Sequence, residues 1–87
     1  MPDKAIIVFS RDGAESMDLE VPLSITANEL VNALNRAYQL GINTENMREC
    51  YLQAEAPVAL LRGNKTLDEF GIHDGSHVYF TGHGGSL

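Results

Sequence analysis

The stretch SMDLEVPLSITANELVNALNRAYQLG, Ser16 to Gly41, changes hydrophobic period in mid-course, and that change decides the fold. In its first part Met17, Leu19 and Val21 alternate with Asp18 and Glu20, the period-two pattern of a half-buried strand, until Pro22 removes a ladder donor. Thr26-Ala27-Asn28-Glu29 then fits a capping box, in which the threonine oxygen accepts the N–H of the glutamate and the glutamate reaches back to the cap N–H. Ile25 before the cap can staple onto Leu30, and Leu30, Val31, Leu34, Ala37 and Tyr38 recur at helical spacing, with Asn28, Asn32, Asn35, Arg36 and Gln39 on the polar side. Gly41 suits the left-handed position past a helix end. The spacing predicts a strand followed by one amphipathic helix over 27–40.

Upstream, Lys4 to Arg11 is rich in β-branched and aromatic residues, and Asp12-Gly13 supplies hairpin chemistry, so a first strand pairs with the one just described. Downstream, Cys50, Leu52 and Ala54 alternate with Glu49, Tyr51 and Gln53, which predicts a third strand over 48–54. Pro57 introduces a short strand over 58–61, Gly63-Asn64 turns the chain, and Leu67, Phe70 and Ile72 mark a compact apolar turn. A last strand follows over 77–81, with Val78 and Phe80 facing one way. The expected core is Ile6, Val8, Leu19, Val21, Leu30, Leu34, Leu52, Leu67, Ile72, Val78 and Phe80. The order predicts an α+β fold, a mixed four- to five-stranded sheet packed on one α-helix, as a single domain over 1–81 with a flexible glycine-rich tail over 82–87.

Composition narrows the function. With 87 residues the chain supports one compact core, and 44% hydrophobic with 21% charged residues is ordinary globular usage. Twelve acidic against six basic side chains leave a net charge of -6, a field that repels phosphate backbones and anionic headgroups, so nucleic acid is not the expected partner. The lone Cys50 cannot form an internal disulfide, and MPDKAIIVFSRDG has too short an apolar run for a signal peptide; a cytoplasmic location without direct membrane insertion is expected.

Two segments carry a family resemblance. EVPLSITANEL, entering the helix, and KTLDEFGIHDGSHVYF, Lys65 to Phe80, resemble the corresponding parts of ubiquitin, so the implied fold is the ubiquitin-like β-grasp. Asp18-Leu19-Glu20-Val21-Pro22, Ala59-Leu60-Leu61, and Leu67, Phe70-Gly71-Ile72 and Asp74-Gly75 ahead of the last strand are similar to the YukD/EsaB group associated with type VII secretion in Gram-positive bacteria. That likeness implies a non-catalytic protein-binding module whose partner is a component of the secretion machine. Two other roles open to β-grasp proteins are a protein modifier activated through a trimmed diglycine, and a small accessory subunit of a multicomponent enzyme.

No constellation for catalysis, cofactor or metal stands out. His73, His77 and His83 fall in a loop, a strand and the tail without a ligand spacing, and Gly63-Asn64-Lys65-Thr66 lacks the upstream glycine and the long helix of a phosphate loop. Cys50, at an inward position, reads as a small core hydrophobe rather than a nucleophile. If Gly13 sits in the first turn as in ubiquitin, Ile6 and Val8 face the helix, while Ile7, Phe9, Tyr51 and Tyr79 face outward as a protein-binding patch.

Gly84 and Gly85 are the candidate conjugation tail, but Ser86 and Leu87 follow them, and an enzyme that adenylates a diglycine carboxylate would meet Leu87 instead. Intact-mass spectrometry of the protein from its native host is therefore expected to show an untrimmed, unconjugated chain. A species ending at Gly85, or higher-mass adducts lost on mutating Gly85, would establish the modifier role.

Overall fold

The computed structural model describes residues 3–11, 16–46 and 48–80. Strands β1 (Lys4–Arg11) and β2 (Ser16–Pro22) are followed by helix α1 (Ala27–Tyr38), strands β3 (Leu52–Glu55) and β4 (Ala59–Leu61), the one-turn helix α2 (Leu67–Phe70) and strand β5 (His77–Phe80). The sheet order is β2-β1-β5-β3-β4. Only β1 and β5 pair in parallel, with Val8 opposite His77 and Ser10 opposite Tyr79; the other three pairings are antiparallel. This is the α+β arrangement expected from the order of elements, a mixed five-stranded sheet with its helix.

One apolar cluster forms the core, joining Ala5, Ile7 and Phe9 of β1 and Val78 and Phe80 of β5 to Ala27, Leu30, Val31 and Leu34 of α1. Val21, Leu52, Leu67 and Ile72 are buried as expected, and Leu19 packs at the edge of the cluster.

Strand β1 corrects the expected parity. Ile7 and Phe9 are 0% and 1% exposed, whereas Ile6 is 49% exposed and Val8 half-buried. The cause is the hairpin register, which pairs Ile7 with Leu19 and Phe9 with Met17. Antiparallel partners share a face, so the residues opposite the inward row of β2 must also point inward. Ile6 and Val8 lie opposite Glu20 and Asp18 and share their outward face.

Three boundaries also shift. Residues 48–50 do not extend β3: Asn46 gathers them into a turn, its carbonyl oxygen accepting from the Glu49 and Cys50 amides and its side-chain oxygen from Arg48 N. Val58 precedes β4 and is 88% exposed. Helix α1 ends at Tyr38, with Gln39 in the left-handed cap position at φ 52° and Gly41, two residues on, left-handed as expected at φ 77°. The Arg11 guanidinium donates to the Tyr38 and Gln39 carbonyls at 2.7 and 3.2 Å, and the Asn35 side chain exchanges two hydrogen bonds with the Ile42 backbone. The Arg11 bonds provide partners for carbonyls that a helix end leaves free, and the Asn35 pair fixes the chain just beyond it.

The two helix starts close each other. Thr26 and Thr66 both form capping boxes and face one another across a single β-bridge. Ala27 N and Asn28 N donate to the Lys65 and Gly63 carbonyls, and Leu67 N and Asp68 N to those of Ile25 and Leu23. The capping boxes pair the remaining first-turn amides, Thr26 and Glu29 on one side and Thr66 and Glu69 on the other. All eight N–H groups that the two helix starts would leave unpaired have partners. Hydrogen bonds from the Thr66 backbone and hydroxyl hold the Glu69 carboxyl below the ordinary glutamate range.

The inverted parity has a direct test. Phe9→Ala should cost about 3–5 kcal/mol through lost burial and the cavity left behind, and Ile6→Ser less than about 1 kcal/mol. Denaturant melts of the two variants check this, and equal losses would mean that the register is wrong.

Candidate binding face

The face of the sheet turned away from α1 is built from alternate residues of all five strands. Strand register sets Asp18, Val8, His77 and Glu55 in one row, and Ser16, Ser10, Tyr79, Gln53 and Leu60 in the next. Ile6 extends the apolar surface beyond Val8, beside Glu20. Ile6 and Leu60 are 49% and 45% exposed, and Val8, Tyr79 and His77 are half-buried.

Of the four residues expected to form an outward patch, the strand register sets Tyr79 on this face. Ile7 and Phe9 lie in the core, where the Phe9 ring packs 5.5 Å from that of Tyr38. Tyr51 is half-buried immediately before β3. Gly84, Gly85 and His83 lie outside the described residues. Ile6, Val8, Ser10, His77 and Leu60 were not expected on the face, although the acidic parity of Asp18 and Glu20 carried the signal for Ile6 and Val8.

At the centre, Ser10 Oγ and His77 Nε2 are 2.8 Å apart, His77 Nδ1 lies 4.0 Å from Glu55 Oε1, and the His77 and Tyr79 rings sit 5.5 Å apart. A serine, an imidazole and a carboxylate in sequence invite comparison with a nucleophilic triad, but the geometry differs. Ser10 is only 9% exposed and paired within β1, and the Glu55 carboxylate is beyond hydrogen-bond distance of the ring. The β1 amides are committed to the ladders on either side rather than gathered into an oxyanion hole. What the pair accomplishes is to satisfy the Ser10 hydroxyl and hold the imidazole beside Tyr79.

Other polar features are structural. His73 Nδ1 is 2.8 Å from the Asp74 carbonyl oxygen. Gly63 N donates to Asn28 Oδ1, and Thr66 caps α2, so the 63–66 segment is spent on helix closure. Among the described residues no group of three His, Cys, Asp or Glu side chains could hold a metal ion, and no helix is long and apolar enough to cross a membrane. A concavity of about 380 Å³ is lined by Asn28, Thr44, Cys50, Arg62 and Gly63. Its thiol is 5% exposed, donates to Asn28 Oδ1 at 3.6 Å, and is pushed above the ordinary cysteine range by burial.

The helix clasped against a sheet of order 2-1-5-3-4 defines a ubiquitin-like β-grasp protein. The chain matches the family model of the protein YukD of the WXG100 protein secretion system (Wss) over residues 6–79, and belongs to that family. None of the curated proteins matches it. Among solved structures, a de novo design based on ubiquitin is 20% identical, with a TM-score of 0.63 and coverage of 91% of this chain and 88% of that one. The C-terminal ubiquitin-like domain of mouse tubulin-specific chaperone e is 12% identical, with a TM-score of 0.68 and coverage of 88% and 84%. Ubiquitin of Caldiarchaeum subterraneum is 15% identical, with a TM-score of 0.61 and coverage of 87% and 89%. At these identities the likeness is one of fold.

Cys50 should resist alkylation by iodoacetamide near neutral pH in the folded protein and react once the chain is unfolded, because only the thiolate attacks and burial disfavours it. Mass spectrometry with and without denaturant measures this. Rapid labelling of the native protein would show an activated thiol and reopen the nucleophile reading.

Proposed function

We propose that this protein is a non-catalytic, cytoplasmic ubiquitin-like module that binds a protein component of the WXG100, or type VII, secretion machine and acts as an accessory or regulatory part of it. Family membership supplies the secretion context. The observation that carries the binding role is the exposure of Ile6 and Leu60 on the same face as Tyr79, while the opposite face of the sheet serves the core. Apolar side chains held in the rigid rows of a sheet lose little further freedom on binding, and an aromatic among them suits the centre of an interface. Tyr51, beside β3, is included at the margin of the patch.

This assignment replaces Ile7 and Phe9 with Ile6 and Val8 and retains Tyr79. The secretion-machine proteins of the host are the candidates to test. Replacing Ile6 and Tyr79 together by serine should weaken capture of the cognate component tenfold or more, with a melting temperature changed by no more than a few degrees. Unchanged capture by a folded variant would reject the face. Loss of capture together with loss of the fold would be resolved by the single Leu60→Ser variant, whose side chain lies on the short edge strand.

A further inference from the structure

The chemistry of the partner is written in the charges that border the apolar surface. Across the sheet, Asp18 and Glu20 on β2 flank Val8 and Ile6 on one side, and Glu55 on β3 flanks His77 on the other. Three strand spacings separate the Asp18 and Glu55 columns, about 14 Å at the usual separation. An α-helix with its side chains is about 10–12 Å across, so one helix fits between the acidic margins with its flanks reaching both. An extended peptide is less suited, because the sheet's backbone groups bond in its own plane and leave none for a strand lying on its face.

Resting on the binding reading above, we propose that the occupant is an amphipathic helix of another protein, with an apolar stripe over Ile6, Val8 and Tyr79 and Lys or Arg along both sides. Charge complementarity selects it. A second copy of this chain would set Asp18, Glu20 and Glu55 against their own kind in a protein already at net charge -6. Lys4, opposite Pro22, is the basic residue on the outward row of β1, and it stands at the end of the strip rather than along it. The carboxylate of Asp74 accepts from Ile6 N at 2.7 Å and adds negative charge beside the strip.

The test is selection from a displayed library of short helices with leucine fixed along one stripe and the flanking positions varied among Lys, Glu, Gln and Ser. Selection on the folded protein should enrich Lys on both flanks. Binding of the selected peptide should fall tenfold or more when Asp18→Asn, Glu20→Gln and Glu55→Gln are combined, and again when salt is raised. Enrichment of neutral or acidic flanks, indifference to the triple neutralisation, or no helix enriched above a control protein would overturn the basic helix while leaving the apolar face as the binding surface. A selected helix whose affinity is unaffected by both Ile6→Ser and Tyr79→Ser would reject the face itself. The neutralised variant should retain its fold, since it removes only surface charge, and a thermal melt confirms this.

Discussion

The parallel pairing of β1 with β5 is the constraint on which the rest of the molecule depends. Parallel neighbours cannot be joined by a hairpin, so the whole chain between them must make the crossover, and α1 is carried over one face as a result. The same pairing makes β1 a central strand, with β2 bonded on its other side. Ser76 locks the junction. Its carbonyl accepts Val8 N at 2.9 Å, its hydroxyl donates to the Ala56 carbonyl at 2.8 Å and accepts His73 N at 3.0 Å, and the residue is fully buried. A buried hydroxyl with each of these bonds made positions three segments at once, and replacing it by an apolar group would leave the His73 amide and the Ala56 carbonyl short of partners.

Helix closure follows the same logic of complete pairing. A one-turn helix such as α2 has too few internal bonds to stand alone, because nucleation fixes several dihedrals for each bond gained. It persists because its first-turn amides find the carbonyls leading into α1, just as α1's find the carbonyls leading into α2. The bridge between Thr26 and Thr66 ties these starts together, while Arg11 at the end of β1 ties the far end of α1 to the sheet. The helix is therefore held at its start by turn backbone and at its end by the Arg11 side chain, and the outer face of the sheet is left free of it.

Much of this was legible in the sequence, and the failures have physical causes. The alternation of Met17 to Val21 and the capping box at Thr26 located β2 and the start of α1, because each rests on local chemistry. The second box, Thr66 to Glu69, has the same spacing and could have identified α2 as a helical turn. The orientation of β1 was not visible in β1 itself, since Ala5, Ile7 and Phe9 alternate with Ile6 and Val8 and both rows are apolar. It was encoded in the partner, where Asp18 and Glu20 name the outward row once Val8 is set opposite Asp18 and Ile6 opposite Glu20. Residues 48–50 misled for another reason: period-two spacing there competes with the side chain of Asn46, and a local hydrogen bond prevailed over the pattern.

The outward row of β1 has two demands to meet. As part of a central strand it benefits from β-branched residues, which fit a pleated surface, and Ile6 and Val8 meet that need whether or not anything binds there. Leu60 and Tyr79 separate the two explanations. Leu60 is not β-branched and sits on a three-residue edge strand, where exposed apolar surface invites unwanted pairing and charge is the usual protection. Tyr79 sets an aromatic ring over the row between Ser10 and Gln53, with its orientation supported by the His77 imidazole that Ser10 anchors. Propensity accounts for the middle of the patch but not for its far side, whereas the proposed recognition of a partner's apolar stripe would account for both. On the binding reading proposed above, the carboxylates of Asp18, Glu20 and Glu55 would also keep this surface from meeting itself, because a second copy would set like charges together.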